Sequence, residues 1–283
     1  MPSLPELSRA PRRLARTASL YGRSSLRLVP KARVGRRDER IVFVVGSPRS
    51  GTTFVAGAIG GQPGFVDLGE VLPLKAEIPE LVSLPTAGAA ERLRAILERV
   101  RLLGLARGSR AVEQTPETAF LVEAALSAYP HARVVHVVRD GRDVVCSLLE
   151  RGWLSSGRTD SDDARLGFGP HARFWVEEDR RDEFPRVSDA TRAAWMWRRY
   201  LTAARGHDAT LELRYEQLAA DPEAAANEVA RFLGSDPGPL AEGFAEVHAR
   251  SVGRWREELT AEQGADVEQE AGALLRELGY SES

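Results

Sequence analysis

The chain has 283 residues, enough for one sizeable α/β domain, and its 43% hydrophobic and 28% charged content is that of an ordinary folded protein. A net charge of −2 excludes a chain-wide nucleic-acid signature, and the single cysteine, Cys146, excludes an internal disulfide and suits a reducing compartment. No apolar run approaches the roughly 18 residues of a membrane span, and the N-terminus lacks the apolar core of a secretory signal, so the expectation is a cytoplasmic protein.

In chain order, residues 1–40 come first, with eleven Lys or Arg against three Asp or Glu. They are expected to form a basic, flexible arm. Leu7, Ala10, Leu14, Ala18 and Tyr21 fall near one helical face, so contact with an anionic membrane surface, peripheral to it, is an alternative, as is an organellar transit peptide. From residue 41 strands and helices alternate. "IVFVVG" (41–46) reads as a buried strand, followed by a Gly-containing turn and a helix from about Thr52. "AAERLRAILERVRLLGLA" (89–106) has helical periodicity, with Leu93, Ile96, Leu97, Val100 and Leu103 on one side. "RAVEQ" (110–114) is a short strand, and "TPETAFLVEAALSAYP" a helix with Thr115 as N-cap and Pro116 at its first position. "ARVVHVV" (132–138) is a second apolar strand that feeds "RDGRDVVCSLLERGW", a turn and a helix. "ATLELRY" (209–215) is a further strand, and "DPEAAANEVARFLG" a capped helix ending at Gly234. The alternation predicts an α/β fold, a parallel β-sheet flanked by helices.

Ligands of such sheets bind at the carboxyl ends of the strands. Two strands end there in Arg-bearing turns, 46–53 and 139–143, and both turns run into helices whose N-termini favour anions. Two anion sites at one edge suit a nucleoside with phosphates at both ends. The first turn keeps the Gly46/Gly51 spacing of an ATP-binding loop, but Thr52 stands where that loop has its lysine. Triphosphate chemistry is therefore disfavoured, whereas backbone amides and the hydroxyls of Ser50, Thr52 and Thr53 still suit a smaller anion.

"SPRSGTT" resembles the 5′-phosphosulfate loop of sulfotransferases that use 3′-phosphoadenosine 5′-phosphosulfate (PAPS). "VVRDGRDVVCSLLER" resembles their 3′-phosphate motif, and "LRYEQLAADPEAAANEVARFLG", "SVGRWREELT" and "LLRELGY" resemble later segments of the family. The likeness is to tyrosylprotein-type and related bacterial sulfotransferases and spans roughly residues 41–280, with a divergent stretch at 152–190. It implies a P-loop nucleotide-kinase-like sulfotransferase fold over 41–283 and PAPS as co-substrate, with no metal required. By the same resemblance, Arg49, Ser50, Gly51, Thr52 and Thr53 bind the 5′-phosphosulfate. Arg139, Ser147 and Arg151 hold the 3′-phosphate, Tyr215 contacts the nucleotide, and Ser251 and Arg254 lie in a loop that closes over it. Glu70, in "DLGEVLPL", matches the catalytic base, and Arg49 is implied in catalysis as well as binding. The alternative for Arg139 is an ion pair with Asp143 at the helix start.

One departure concerns Gln114, which stands 25 residues before Arg139 where relatives commonly carry a Lys that stabilises the transition state. A donor without charge is expected to weaken catalysis. The five histidines show no catalytic spacing, and Trp195, Trp197 and Tyr200 read as helix packing. Residues 152–190 interrupt the α/β pattern and are expected to form a lid or acceptor-binding insertion. There Phe168, Phe174 and Trp175 either stack on an acceptor ring or anchor the lid, and Arg173, Arg180 and Arg181 would draw an anionic group. The partner is a hydroxyl-bearing acceptor (glycan, glycolipid, small metabolite or peptide tyrosine), with no nucleic acid. The rival readings are a P-loop kinase or NTPase and a catalytically silent nucleotide-binding protein.

Overall fold

A computed structural model describes residues 39–103 and 109–280. The basic arm, residues 104–106 of the expected helix and the side chain of Leu103 lie outside these described residues.

The elements follow the alternation the sequence predicts. β1 (Val42–Val45) leads to α1 (Thr52–Gly60), β2 (Phe65–Gly69), α2 (Leu72–Leu81), α3 (Thr86–Leu103) and β3 (Arg110–Glu113). After a 3₁₀ segment (Pro116–Leu121) come α4 (Val122–Ala128), β4 (Arg133–Val138), α5 (Gly141–Arg151), α6 (Asp189–Ala204) and β5 (Thr210–Arg214). The chain closes with α7 (Tyr215–Ala220), α8 (Pro222–Leu233), α9 (Pro237–Phe244), α10 (Trp255–Glu258) and α11 (Ala261–Glu277). The five strands form one parallel sheet in the order β2-β3-β1-β4-β5.

β1 is an unbroken apolar run because it is central and covered on both faces. Phe43 and Val45 join one core cluster with α3, α4, α5, α6 and α11, whereas Val42 and Val44 join a second with α1, α8 and α9. Alternation along the strand thus sends successive side chains into two separate cores. Strand order reverses at β1: its chain neighbours β2 and β3 lie to one side, β4 and β5 to the other. The helix after β1 and the helix after β4 consequently leave on opposite faces, opening a crevice between the two turns at the carboxyl edge.

Two expectations change locally. The segment after β3 begins as a 3₁₀ turn, and Thr115 does not cap it: its hydroxyl accepts from Val71 N at 3.0 Å instead, tying β3 to the segment that opens α2. The short strand β2 and the helix α2 were not anticipated, because "FVDLG" is brief and half-buried and Pro73 and Pro79 obscure the helical pattern. Cys146 is buried within α5, and Trp195, Trp197 and Tyr200 are fully buried on α6, the two tryptophans in keeping with their reading as packing residues, while Tyr200 also lines a cavity.

Candidate active site

The turn after β1 is a strained loop. Arg49 has φ 74°, a left-handed conformation rare for a side-chain-bearing residue, and Gly51 has φ 97°. A Cβ on Gly51 would meet the Tyr215 ring at 2.7 Å, so glycine is required both for the backbone and for the ring that packs beneath the loop. Ser50 N donates to Ser47 O at 3.1 Å, closing the turn, and α1 begins at Thr52.

The turn after β4 meets it. Asp140 caps α5 by accepting from Arg142 N at 2.9 Å. Gly141 lies so close to Trp197 that a Cβ there would sit 2.7 Å from the indole ring. Trp197 Nε1 donates to Arg139 O at 3.0 Å, fixing the turn from below. Arg139 is buried, lies 4.6 Å over the Tyr215 ring, and donates to Arg49 O at 3.2 Å and Ser251 O at 2.5 Å. It does not pair with Asp143. That carboxylate accepts instead from Gly253 N at 2.7 Å and Trp255 N at 3.0 Å, so it carries the 251–255 loop, a role the sequence reading missed.

Arg49 Nε donates to Ser147 Oγ at 2.9 Å, joining the first turn to α5 across 98 residues. Burial first, then the neighbouring Arg151, lowers the Arg49 pKa from its ordinary value; Arg139 and Arg254 act the same way and Glu150 opposes them. Four arginines therefore share one edge. Arg254 is held by Glu258 at 2.6 Å and Glu150 at 3.2 Å, and the Ser251 hydroxyl donates to His248 O at 2.8 Å. Two buried polar atoms in this cluster, Ser50 Oγ and Arg139 Nε, have no hydrogen-bond partner among the described residues. Unmet buried donors beside clustered cations are what an anion would satisfy.

Next to this edge opens a cavity of about 450 Å³ whose lining includes Pro48, Thr53, Glu70, Gln114, Trp153 and Phe168. Glu70 follows β2 and is two-fifths exposed; its Oε2 accepts from Lys75 Nζ at 2.8 Å. Lys75, buried on α2, also lies 3.6 Å from Asp162 and 3.8 Å from Glu117. Burial opposes its charge, but Glu117 and Glu70 outweigh that and raise its pKa. Lys75 went unnoticed in the sequence; a Lys five residues after the candidate base was the available signal. Gln114 is buried and its amide donates to Thr52 Oγ1 at 3.2 Å, linking the cavity wall to the loop.

The sequence profile of the sulfotransferase family matches residues 89–237, just over half of the chain. The chain belongs to this family. It is a transferase that takes PAPS as sulfuryl donor, and the Ser50 and Arg139 donors together with the arginine edge fit a nucleotide that is anionic at both its 3′ and 5′ ends. The sulfotransferase resembles several solved structures at the level of fold. The sulfotransferase domain of the Synechococcus PCC 7002 olefin synthase is 18% identical, with a TM-score of 0.52 over 90% of this chain and 98% of that one. The sulfotransferase domain from the curacin biosynthetic pathway is 13% identical, with a TM-score of 0.53 over 88% and 100%. A sulfotransferase from Mycobacterium avium is 13% identical, with a TM-score of 0.51 over 94% and 84%. No curated protein matches the chain. Among the described residues no helix is long and apolar enough to cross a membrane.

The stretch 152–190 divides in two. Trp153, Leu154, Asp162, Asp163, Phe168 and Arg173 line the cavity. Trp175 and Phe184 are fully buried, and Phe174 packs edge-on against Phe120 at 5.3 Å, so the second half is anchored in the core. Of the aromatics expected to meet an acceptor, Phe168 alone lines the cavity. Arg180 is spent on Glu183 and Glu270, and neither it nor Arg181 lines the cavity; Arg173 does, donating to Gly167 O at 2.7 Å.

Proposed function

We propose that this sulfotransferase moves the PAPS sulfuryl group to an acceptor hydroxyl bound in the cavity beside Glu70, with the following division of labour. Arg49, Ser50, Gly51, Thr52 and Thr53 hold the 5′-phosphosulfate, and Arg139, Ser147 and Arg151 hold the 3′-phosphate. Tyr215 supports the nucleotide site from below, and Ser251 and Arg254 belong to the loop beside it. The observation that carries the reading is the meeting of Arg49, Arg139, Arg151 and Arg254 around two unsatisfied buried donors at the switch point of the sheet.

PAPS supplies the sulfuryl group, which leaves the phosphate oxygen for the acceptor oxygen. Glu70 takes the proton of the acceptor hydroxyl, and Lys75 orients its carboxylate through Oε2. Arg49 and the loop amides stabilise charge that builds on the leaving phosphate oxygen. Gln114 gives this region a donor without charge, so the cationic contribution falls to Arg49.

Calorimetric titration with 3′,5′-diphosphoadenosine, alongside ATP with Mg²⁺, tests the nucleotide assignment. Micromolar or tighter binding of the first and weak binding of the second are expected. A preference for ATP would return the loop to NTPase chemistry and remove the assigned roles of Arg139, Ser147 and Arg151.

A further inference from the structure

The acceptor cavity has an unusual charge balance for a site that abuts an anionic donor. Its lining includes Asp67, Glu70, Glu117, Asp162 and Asp163 against only Lys75 and Arg173. Lys75 is already shared among Glu70, Glu117 and Asp162, and Arg173 donates into the carbonyls of Leu166 and Gly167 while lying over the Phe168 ring at 5.5 Å. Lys75 is thus committed to carboxylates, and Arg173 spends Nε and Nη2 on carbonyls while its charge acts on Glu117 and Tyr200, leaving the carboxylates in excess. An added negative charge here would face three carboxylates around one ammonium.

Two neighbouring polar groups in the same wall, Glu117 and Tyr200, are incompletely satisfied. Glu117 is 3% exposed and its Oε2 accepts no hydrogen bond; Tyr200 is fully buried and its hydroxyl makes none of good geometry. They are neighbours: after burial, the Glu117 carboxylate is the main influence raising the Tyr200 pKa. Burial likewise raises the Glu117 pKa, with Lys75 opposing. A buried carboxyl oxygen left without a donor is costly unless a ligand supplies one. Leu68, Leu72, Pro73, Val100, Trp153 and Met196 make the remainder of the wall apolar.

Resting on the sulfuryl-transfer reading of this site, we infer that the acceptor is a small, largely apolar alcohol that bears a second hydrogen-bond donor and no anionic group, the donor being received by Glu117 and Tyr200 while the reacting hydroxyl lies at Glu70. Lys75 spans the two ends, within 2.8 Å of Glu70 and 3.8 Å of Glu117, so the two functional groups stand only a ring's width apart. Glu117 and Tyr200 are then specificity-determining residues. The amine and the hydroxyl share this donor chemistry and are separated by experiment.

The test is transfer from PAPS to four benzyl alcohols that differ at the para position: aminomethyl, hydroxymethyl, ethyl and carboxylate. Both donor-bearing members should exceed the ethyl compound in kcat/KM by about tenfold or more, and the carboxylate should fall about tenfold or more below it. An advantage of aminomethyl over hydroxymethyl identifies a cationic acceptor, and the reverse a neutral one. Glu117→Gln should narrow the gap between aminomethyl and carboxylate, and the milder Tyr200→Phe should reduce the donor preference without reversing the order. A carboxylate equal to or better than ethyl, or an order unchanged in both variants, overturns the inference. So does an absence of transfer to all four while 3′,5′-diphosphoadenosine still binds, which leaves the transfer reading standing; loss of nucleotide binding itself would bring down both.

Discussion

Arg49 and Ser147 lie on different sides of the sheet's switch point, and the 2.9 Å bond from Arg49 Nε to Ser147 Oγ joins the turn after β1 to the helix after β4. The bond puts a residue assigned to the 5′ end of the nucleotide in contact with one assigned to its 3′ end. Ser147→Ala would leave the guanidinium Nε unpaired in a half-buried cluster of like charges. A hydrogen bond to a charged group is worth about 1.5–3 kcal/mol, so affinity for 3′,5′-diphosphoadenosine should fall by about tenfold to a hundredfold. Calorimetry checks this, and unchanged affinity would take Ser147 out of the nucleotide site.

Glu70 is exposed to the cavity yet fixed by Lys75. Glu70→Gln preserves the side-chain shape and an oxygen for Lys75 but cannot take a proton. Transfer should drop by about 10²–10⁴-fold with nucleotide affinity nearly unchanged. Paired turnover and binding measurements separate these effects. Wild-type turnover from the variant would exclude Glu70 as the base.

Gln114 reaches from the cavity wall to Thr52 Oγ1, so its side chain connects the proposed acceptor cavity to the loop after β1. Gln114→Ala removes one preorganised donor from a buried position. By analogy with the loss of a single oxyanion donor, kcat should fall by about 10²–10³-fold, with a smaller effect on KM. Steady-state kinetics decides it: a selective rise in KM would instead make Gln114 a binding residue.

Glu113, the last residue of β3, is fully buried and receives the amide of Thr115 at 2.7 Å and the hydroxyl of Thr118 at 3.0 Å. Burial pushes its pKa up to about 8 despite those bonds. The folded state therefore holds a proton that the unfolded chain releases near pH 4.5, the ordinary value. The stabilising contribution is complete below about pH 4.5 and is lost as pH rises through about 8. Melting temperature should decline across that window. Glu113→Gln should flatten the decline, because it removes the titrating proton while retaining a side chain that can bond Thr115 and Thr118. An equal slope in both proteins would show that other groups govern it.

The two Arg-bearing turns at the carboxyl edge were legible because their parts are local. A β-run, a glycine turn and a helix start are contiguous in "IVFVVGSPRSGTT", and the same holds for β4, Arg139 and α5. Short-range hydrophobic patterning also placed four of the strands and the helices α1, α3, α4, α5 and α8 in order, but gave no range to α6, α7, α9, α10 or α11. β2 and α2 escaped it, since a five-residue half-buried strand and a proline-bearing helix carry weak periodic signals. Phe174 and Trp175 show the limit from the other side. Their composition suits stacking on a ligand equally well, and only the positions of Phe120 and the core reveal that they are anchors.

Sequence by itself determined the α/β class, the two Arg-bearing turns and the missing loop lysine, because each is written in adjacent residues whose chemistry does not depend on what lies across the fold; Glu70 entered as a candidate base only through the family resemblance. Tertiary structure alone decided that Asp143 serves the 251–255 loop rather than Arg139, and that Lys75 stands among Glu70, Glu117 and Asp162. Those pairings join segments tens of residues apart, and burial sets their strength. Which charges meet in a low-dielectric cavity is a property of packing, and packing is settled only when the sheet and its two helical layers close.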